Sequence, residues 1–420
     1  MRVAIVTSQD SGAGAPRAIH RIFRALRDHF AHRAETILRV VHKSINDDAI
    51  IGGKPRRSRL EHFEYLLRTR FRKYFPRQPY LSENKLLHSQ ALYPSGLGRE
   101  LNQLCPDVIL LGWLGNSTLS IREIGKLRAP VVWRLSDMWM FSGAEHYTSH
   151  PRYEQSYSRR SRPPTESGPD INRETFLRKK RSWRKPSHVI CPSHWMADQA
   201  KASRLTRGWP VHVIPNAINP ADWEPVPTEE ARIALKLPLD REIILFGAGS
   251  GLKDFHKGGD LFLESLRQLP RQKKEKPPPL AAIFGQEGDD FVHGHAEVSF
   301  LGRLNDNELR LAYSAADVMV VPSRIDNYPS TAVEAQTTGC PVIAFRTGGL
   351  PDIIENGITG LLVEPFSTAR LAEEIVRVSG DISLNRSMRA RARERAVELW
   401  NPTRIAGEYL RVLEQAASNR

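Results

Sequence analysis

Short apolar runs recur along the whole chain, and polar or amphipathic stretches separate them. Arg2–Thr7 is the first run, and the polar, glycine-rich loop Ser8–Gly14 follows it. A helical pattern then extends from about Ala15 to Phe30. Further strand-sized runs fall at Thr36–Val41, Asp107–Leu111, Val131–Leu135, His188–Cys191 and Val211–Ile214. The second half repeats the rhythm at Glu242–Phe246, Ala281–Phe284, Val298–Phe300, Val318–Val321, Val342–Phe345 and Gly360–Val363. Strands that are apolar on both faces and alternate with helices predict an α/β chain whose parallel sheets are covered on both sides.

Between the halves, residues 215–227 carry four prolines, which neither a helix nor a central strand tolerates, so this stretch reads as the linker. Lys276–Pro279 reads as a surface loop. Arg152–Asp170, rich in Ser, Arg and Pro, reads as a mobile loop. A length of 420 residues suits two or three domains. The predicted division is 1–217, 218–399 and a terminal segment 400–420, with Asn401–Gln415 helical. In open parallel sheets ligands sit beyond the carboxyl ends of the strands, so the loops after the strands are where chemistry is expected.

Composition narrows the classes. With 40% hydrophobic residues the chain is not wholly disordered. Cys105, Cys191 and Cys340 lie too far apart for a metal or disulfide pattern, which fits a reducing compartment. No apolar run approaches the ~20 residues of a bilayer span, and the N-terminus does not read as a signal peptide. The net charge of +14 favours polyanions as partners. The charge is concentrated: nine Lys/Arg against two Glu over 54–77, and seven against one over 173–185. Arg59–Phe75 places Leu60, Phe63, Leu67, Phe71 and Tyr74 at helical spacing. It reads either as a basic amphipathic helix on an anionic membrane or as a packed helix with a solvated flank. No nucleic-acid-binding module is present.

Three loops carry candidate chemistry. Ser8–Arg17 joins a strand to a helix whose N–H groups can meet an anion. Its spacing is not the dinucleotide fingerprint, so a plain flexible turn remains the competing reading. Phe246–Lys257 is another glycine-rich strand–helix loop. Lys257 at the helix entrance and Lys253 nearby could meet a diphosphate, and both could equally be solvated surface lysines. The third loop is Ser323–Ala335. Pro329 suits a helix start, which puts Asp326 in the loop and Glu334 inside a helix from Ser330 to about Thr338. Two carboxylates that bracket a helix N-terminus suit a sugar nucleotide, because they accept sugar and ribose hydroxyls on either side of an anion site. The alternative is an N-cap Asp and a surface Glu.

The run Asp326-Asn-Tyr-Pro-Ser-Thr-Ala-Val-Glu334, with Thr338–Phe345, Gly348–Asp352 and Asn356–Val363, resembles the C-terminal domain of family 4 glycosyltransferases. The similarity is closest over Glu242–Glu364, and Asp326-x7-Glu334 is similar to the pattern of the bacterial exopolysaccharide, colanic-acid-type branch. The resemblance extends more loosely to Gly12–Ala18, to Val131–Tyr147 and to Cys191–Trp195. Ser136 departs from it, standing where the family usually has a histidine. The family's arginine upstream of the phosphate lysine is also missing at its usual spacing, and Lys253 is the candidate replacement.

The resemblance implies a GT-B fold: two Rossmann-like domains facing across a cleft, with the C-terminal helix crossing back to the first. It implies hexosyl transfer from a nucleoside-diphosphate sugar to a glycan or polyprenyl-linked acceptor, with retention, in bacterial polysaccharide synthesis. The catalytic residues it implies are Asp326, Lys257 and Asp137. The donor would be held by Lys253, Lys257, Asn327, Tyr328, Ser330, Thr331, Glu334 and Gly14, with Arg17, Ser136 and His146 on the acceptor side. Neither a metal nor another cofactor is expected, because cations and helix dipoles can hold the diphosphate. The expected location is cytoplasmic, peripheral on the inner membrane face. The competing readings are a sugar-nucleotide epimerase or hydrolase of the same fold, and a non-catalytic basic relative that binds membranes or polyanions.

Overall fold

The computed structural model describes the chain except residues 13, 56, 75–79, 116–117, 248, 250, 272–275 and 419–420, and the side chains of 68, 69 and 71–74. Packing divides it into two units, Met1–Ala217 with Thr403–Arg420, and Ile218–Pro402.

The first unit is built on β1 (Arg2–Gln9), β2 (Glu35–His42), β3 (Ile50–Ile51), β4 (Val108–Leu111), β5 (Val131–Arg134), β6 (His188–Cys191) and β7 (Val211–Val213). They pair in parallel in the order β3-β2-β1-β4-β5-β6-β7. The second unit holds β8 (Ile243–Gly247), β9 (Leu280–Phe284), β10 (Phe291–His293), β11 (Ala296–Gly302), β12 (Val318–Val321), β13 (Val342–Phe345) and β14 (Gly360–Val363), in the order β10-β11-β9-β8-β12-β13-β14. Only the edge pair β10–β11 is antiparallel among these strands. The parallel strands of each sheet reverse their order once, at β1/β4 and at β8/β12. Ligands of such sheets bind outside the carboxyl ends at that reversal.

Both faces of each sheet are buried because side chains alternate along a strand. Ala4 and Val6 join one core layer and Val3 and Ile5 the other; in the second unit Ile243 and Leu245 lie opposite Ile244 and Phe246. The terminal helix Pro402–Ser418 adds Ile405, Ala406, Tyr409, Leu410 and Leu413 to the layer that holds Ile19, Ile22, Phe23 and Leu26.

Three sequence expectations are corrected. Residues 152–170 are pinned rather than loose: the buried Arg152 pairs with Glu166 at 3.3 Å and with Asp170 at 2.7 Å, and Tyr153 and Tyr157 are core residues. The stretch 215–227 holds the boundary between the units, at 217/218, but is not a free connection: Asn216 is buried against Arg134, and Ala217 lies in the first unit's core. Ile218 and Trp223 are buried in the second unit's core, and Pro220–Trp223 forms a short 3₁₀ turn. The terminal segment begins at 403 and not at 400, because Trp400 is fully buried in the second unit. The edge strands β3 and β10 have two and three residues, too few for an apolar pattern to show.

Candidate functional site

The reversal point of the second sheet assembles most of the residues that the sequence reading expects on the donor side. After β8 the chain runs through Gly247 and Gly249 to two 3₁₀ turns, Gly251–Lys253 and Phe255–Lys257, and then to the helix Gly259–Arg267. Ala248 and Ser250, part of the same glycine-rich motif, lie outside the described residues. Gly258 has φ of +70°, and a Cβ there would stand 2.0 Å from the Pro322 carbonyl oxygen at the end of β12. Only glycine allows the two loops to approach this closely. Lys257 Nζ thereby reaches Asp326 Oδ2 at 2.5 Å, with the lysine side chain 33% and the aspartate 10% exposed. Burial works to lower the Lys257 ammonium's pKa, but Asp326 and Asp254 outweigh it and hold it above the usual lysine value. Asp254 is in turn held below its usual value by the His256 imidazole beside it. Lys253 is exposed on the same loop.

Arg324, which the sequence reading did not single out, fixes this arrangement. Its guanidinium makes two hydrogen bonds to Asp260, at 2.7 and 2.6 Å, and donates to the Phe255 carbonyl at 3.0 Å. It lies 4.2 Å from the centroid of the Phe255 ring, and its own N–H donates to the His256 carbonyl at 2.7 Å. On the other side, Gly349 N–H donates to the Asp326 carbonyl, and Gly348, at φ +53°, leaves no room for a Cβ.

Beyond Asp326 the helix Ser330–Thr337 begins after Pro329, with no side chain capping its N-terminus. Ser330 and Thr331 in its first turn are half-buried. This end carries unpaired N–H groups and partial positive charge. Asn327 is buried beside it. Glu334 lies within the helix as expected but is only 1% exposed, with the Tyr313 hydroxyl donating to Oε2 at 3.4 Å. Tyr328 does not have the placement of a donor ligand. Its ring is in the core, and its hydroxyl accepts a hydrogen bond from the Trp400 indole at 2.7 Å.

The first unit gathers the other named residues at the carboxyl ends of β1, β4 and β5. Asp137 accepts from Trp113 Nε1 at 2.9 Å, from Trp139 N–H at 2.9 Å and pairs with His146 Nδ1 at 2.6 Å. His146 Nε2 meets Ser89 Oγ at 2.8 Å. A carboxylate has about four acceptor positions, so three of those of Asp137 are spent within the protein. Asp137 is thus the hub of a buried network. Ser136 receives Arg134 Nη1 at 2.5 Å, so the residue in the family's histidine position is tied to its own strand. Gly14 is the exposed first residue of the helix Gly14–Phe30, and Arg17 lies half-buried in its first turn. The sequence reading also passed over Lys179. Fully buried, it donates to the carbonyls of Trp139, Ser142 and Gly143 and clamps the loop that follows β5. A lone lysine in a basic helix gives no sign of such burial. Among the described residues no group of three or more His, Cys, Asp or Glu is placed to hold a metal ion.

Residues 228–395 match the family described as "Glycosyl transferases group 1". That domain spans the Lys257–Asp326 site and the helix after it. Curated relatives include D-inositol 3-phosphate glycosyltransferases. The one from Corynebacterium aurimucosum is 31% identical over 165 residues, which is 37% of this chain and 38% of the relative. The one from Mycobacterium tuberculosis (strain H37Ra) is 32% identical over 197 residues, 43% of this chain and 40% of the relative. The chain therefore matches about two-fifths of the length of these relatives.

Solved structures extend the likeness to the whole chain. Sucrose-phosphate synthase (tll1590) from Thermosynechococcus elongatus superposes with a TM-score of 0.69 at 19% identity, covering 100% of both chains. Anabaena Alr3699/HepE in complex with UDP-glucose gives 0.63 at 18% identity, again over 100% of both. At these identities the likeness concerns the fold, and the fold is GT-B.

Proposed function

We propose that this chain is a family 4-type glycosyltransferase. It would move a hexosyl group from a nucleoside-diphosphate sugar to a glycan or polyprenyl-linked acceptor in bacterial polysaccharide synthesis, with retention of configuration. The observation that carries the reading is the Lys257–Asp326 pair set beside the uncapped N-terminus of the helix Ser330–Thr337. Lys257 has three N–H donors and gives one to Asp326, so the ammonium can also receive a departing diphosphate. The helix end and Lys253 add fixed positive charge where negative charge develops, a major source of transition-state stabilisation. Asp326 and Asn327 orient the sugar, and Glu334 is the acceptor for the ribose hydroxyls. On this reading no metal is needed, and activity in the presence of a chelator tests that point. The UDP-glucose bound to the HepE protein supports a donor of this class.

Calorimetric titration of UDP-, GDP- and ADP-sugars is the direct test. One donor should bind, and Asp326→Ala should weaken it by roughly tenfold or more, about 1.4 kcal/mol. Unchanged affinity in Asp326→Ala and in Glu334→Ala removes the reading. Free sugar released without any acceptor identifies a hydrolase instead.

The basic helix Arg59–Tyr74 supports a membrane-linked acceptor. Its acidic face points inward, where Glu61 pairs with Arg99 and Glu64 with Arg122. Leu60 and Phe63 are instead 81% and 60% exposed, with Leu66 and Leu67 beside them. Of the other residues counted in that segment, 56 and 75–77 and the side chains of 68 and 71–74 lie outside the described residues. An apolar strip turned outward with basic flanks fits an anionic lipid surface. No described helix is long and apolar enough to cross a membrane. Cosedimentation with vesicles containing anionic lipid should fall several-fold for Leu60→Ser/Phe63→Ser, with donor affinity unchanged.

A further inference from the structure

At the amino-terminal edge of the first unit's sheet, opposite the loops described above, lies a cavity of about 700 Å³. Its walls come from the starts of β5 and β6, the loop before β5 and the segment after the helix Ile171–Ser182. Three features distinguish it. Its lining includes Arg128, Arg184 and Lys185 and not one carboxylate. Its floor includes Trp133 and Trp183, two rings 5.0 Å apart between centroids. Trp183 is held rigid by a hydrogen bond from its indole to the Ile121 carbonyl at 3.1 Å. The neighbouring cavity of about 470 Å³, which shares Arg128, is different, because Glu61, Glu64 and Glu123 stand among its cations there. Charges in that cavity are of both signs; in the larger one they are all of one sign.

We propose that this cavity is a binding site for a phosphate monoester carrying an apolar group. The three cations receive the phosphate, and the half-buried Leu127, Pro130 and Val131 above the tryptophan edges receive the apolar part. Guanidinium groups suit phosphate oxygens because their N–H donors are arranged as a fork. Side chains packed on a rigid aromatic floor supply apolar area with little entropy to lose on binding. The site is separate from the Lys257–Asp326 pair, so it does not depend on the reading of that pair.

Calorimetry and tryptophan fluorescence with geranyl monophosphate, UMP and inorganic phosphate test it on the full chain. Geranyl monophosphate should bind and quench, and UMP, whose ribose and uracil are polar, should bind more weakly. Inorganic phosphate should bind at least roughly tenfold more weakly, because it leaves the apolar side chains uncovered. Arg128→Gln/Arg184→Gln/Lys185→Gln, which alters only exposed side chains, should lose at least tenfold in affinity. Ser187→Trp, which fills the cavity and leaves the charges in place, should do the same. Lys257→Ala should leave binding at this cavity unchanged. The proposal is overturned by no binding of geranyl monophosphate, by equal or higher affinity for UMP or inorganic phosphate, or by binding that survives both cavity variants.

Discussion

Single residues in this chain are mostly tied to one another, and that sets what each can do. Lys257 and Asp326 neutralise each other, so neither waits as an isolated charge for substrate. Glu145 is a different case. Burial pushes its carboxyl up to about 7; the Tyr157 and Thr148 hydroxyls pull it down, Glu166 adds to the rise and Arg152 opposes it. The folded state therefore keeps a proton on Glu145 between about pH 4.5 and 7 that the unfolded chain releases. The unfolded state binds fewer protons in that window, so stability falls as pH rises through it. At about 1.4 kcal/mol per pKa unit the loss from this one group is on the order of 3 kcal/mol. Chemical denaturation from pH 4.5 to 7.5 should show that decline, and Glu145→Gln should flatten it. An unchanged slope in the variant would assign the pH dependence to other groups. None of this was legible from the sequence, where Glu145 is one carboxylate in a loop. Asp326 and Glu334 were legible because eight residues with a proline between them define both a loop and a helix. The contact between Asp137 and Trp113 was not, since Trp113 reaches it only through the fold, and neither was the Ser89 hydroxyl that holds the far side of His146.

Among the elements, the loop that presents Lys257 depends on a residue from another loop. Arg324 binds Asp260, the Phe255 carbonyl and the Phe255 ring together, which ties the turn Phe255–Lys257 to the end of β12. Lysine cannot reproduce a two-bond contact and a stacked plane at once. Arg324→Ala and Arg324→Lys should therefore both weaken donor binding by several-fold, though the site itself keeps Lys257 and Asp326. Titration calorimetry checks the affinity, and a melting temperature within a few degrees of the parent separates positioning from unfolding. Full donor affinity in Arg324→Lys would show that charge alone suffices. The long apolar strands were readable from pattern, because both of their faces are buried and few arrangements satisfy that. The pinned loop 152–170 was misread for a physical reason: its order comes from one buried arginine and two carboxylates, a composition that otherwise marks a solvated surface.

On the scale of the whole chain, the two units differ in how they are closed. The second is one continuous segment, Ile218–Pro402, with Trp400 sealing its core and donating to Tyr328. The first is discontinuous: residues 1–217 leave a core layer that is completed only by Ile405, Ala406, Tyr409, Leu410 and Leu413 of the terminal helix. Arg33 also pairs with Glu414 of that helix at 2.8 Å. Removing the helix exposes several large apolar side chains, each worth about 1.5–3 kcal/mol when buried, against a total stability of about 5–15 kcal/mol. The fragment 218–402 should therefore unfold cooperatively when expressed alone. The fragment 1–217 should bind hydrophobic dye and lack a cooperative melt, and a linker that restores 403–420 to it should abolish the dye binding and restore the melt. Calorimetry and dye fluorescence on the three fragments decide the matter. A stable 1–217 would mean that the terminal helix is an accessory to a core already closed without it.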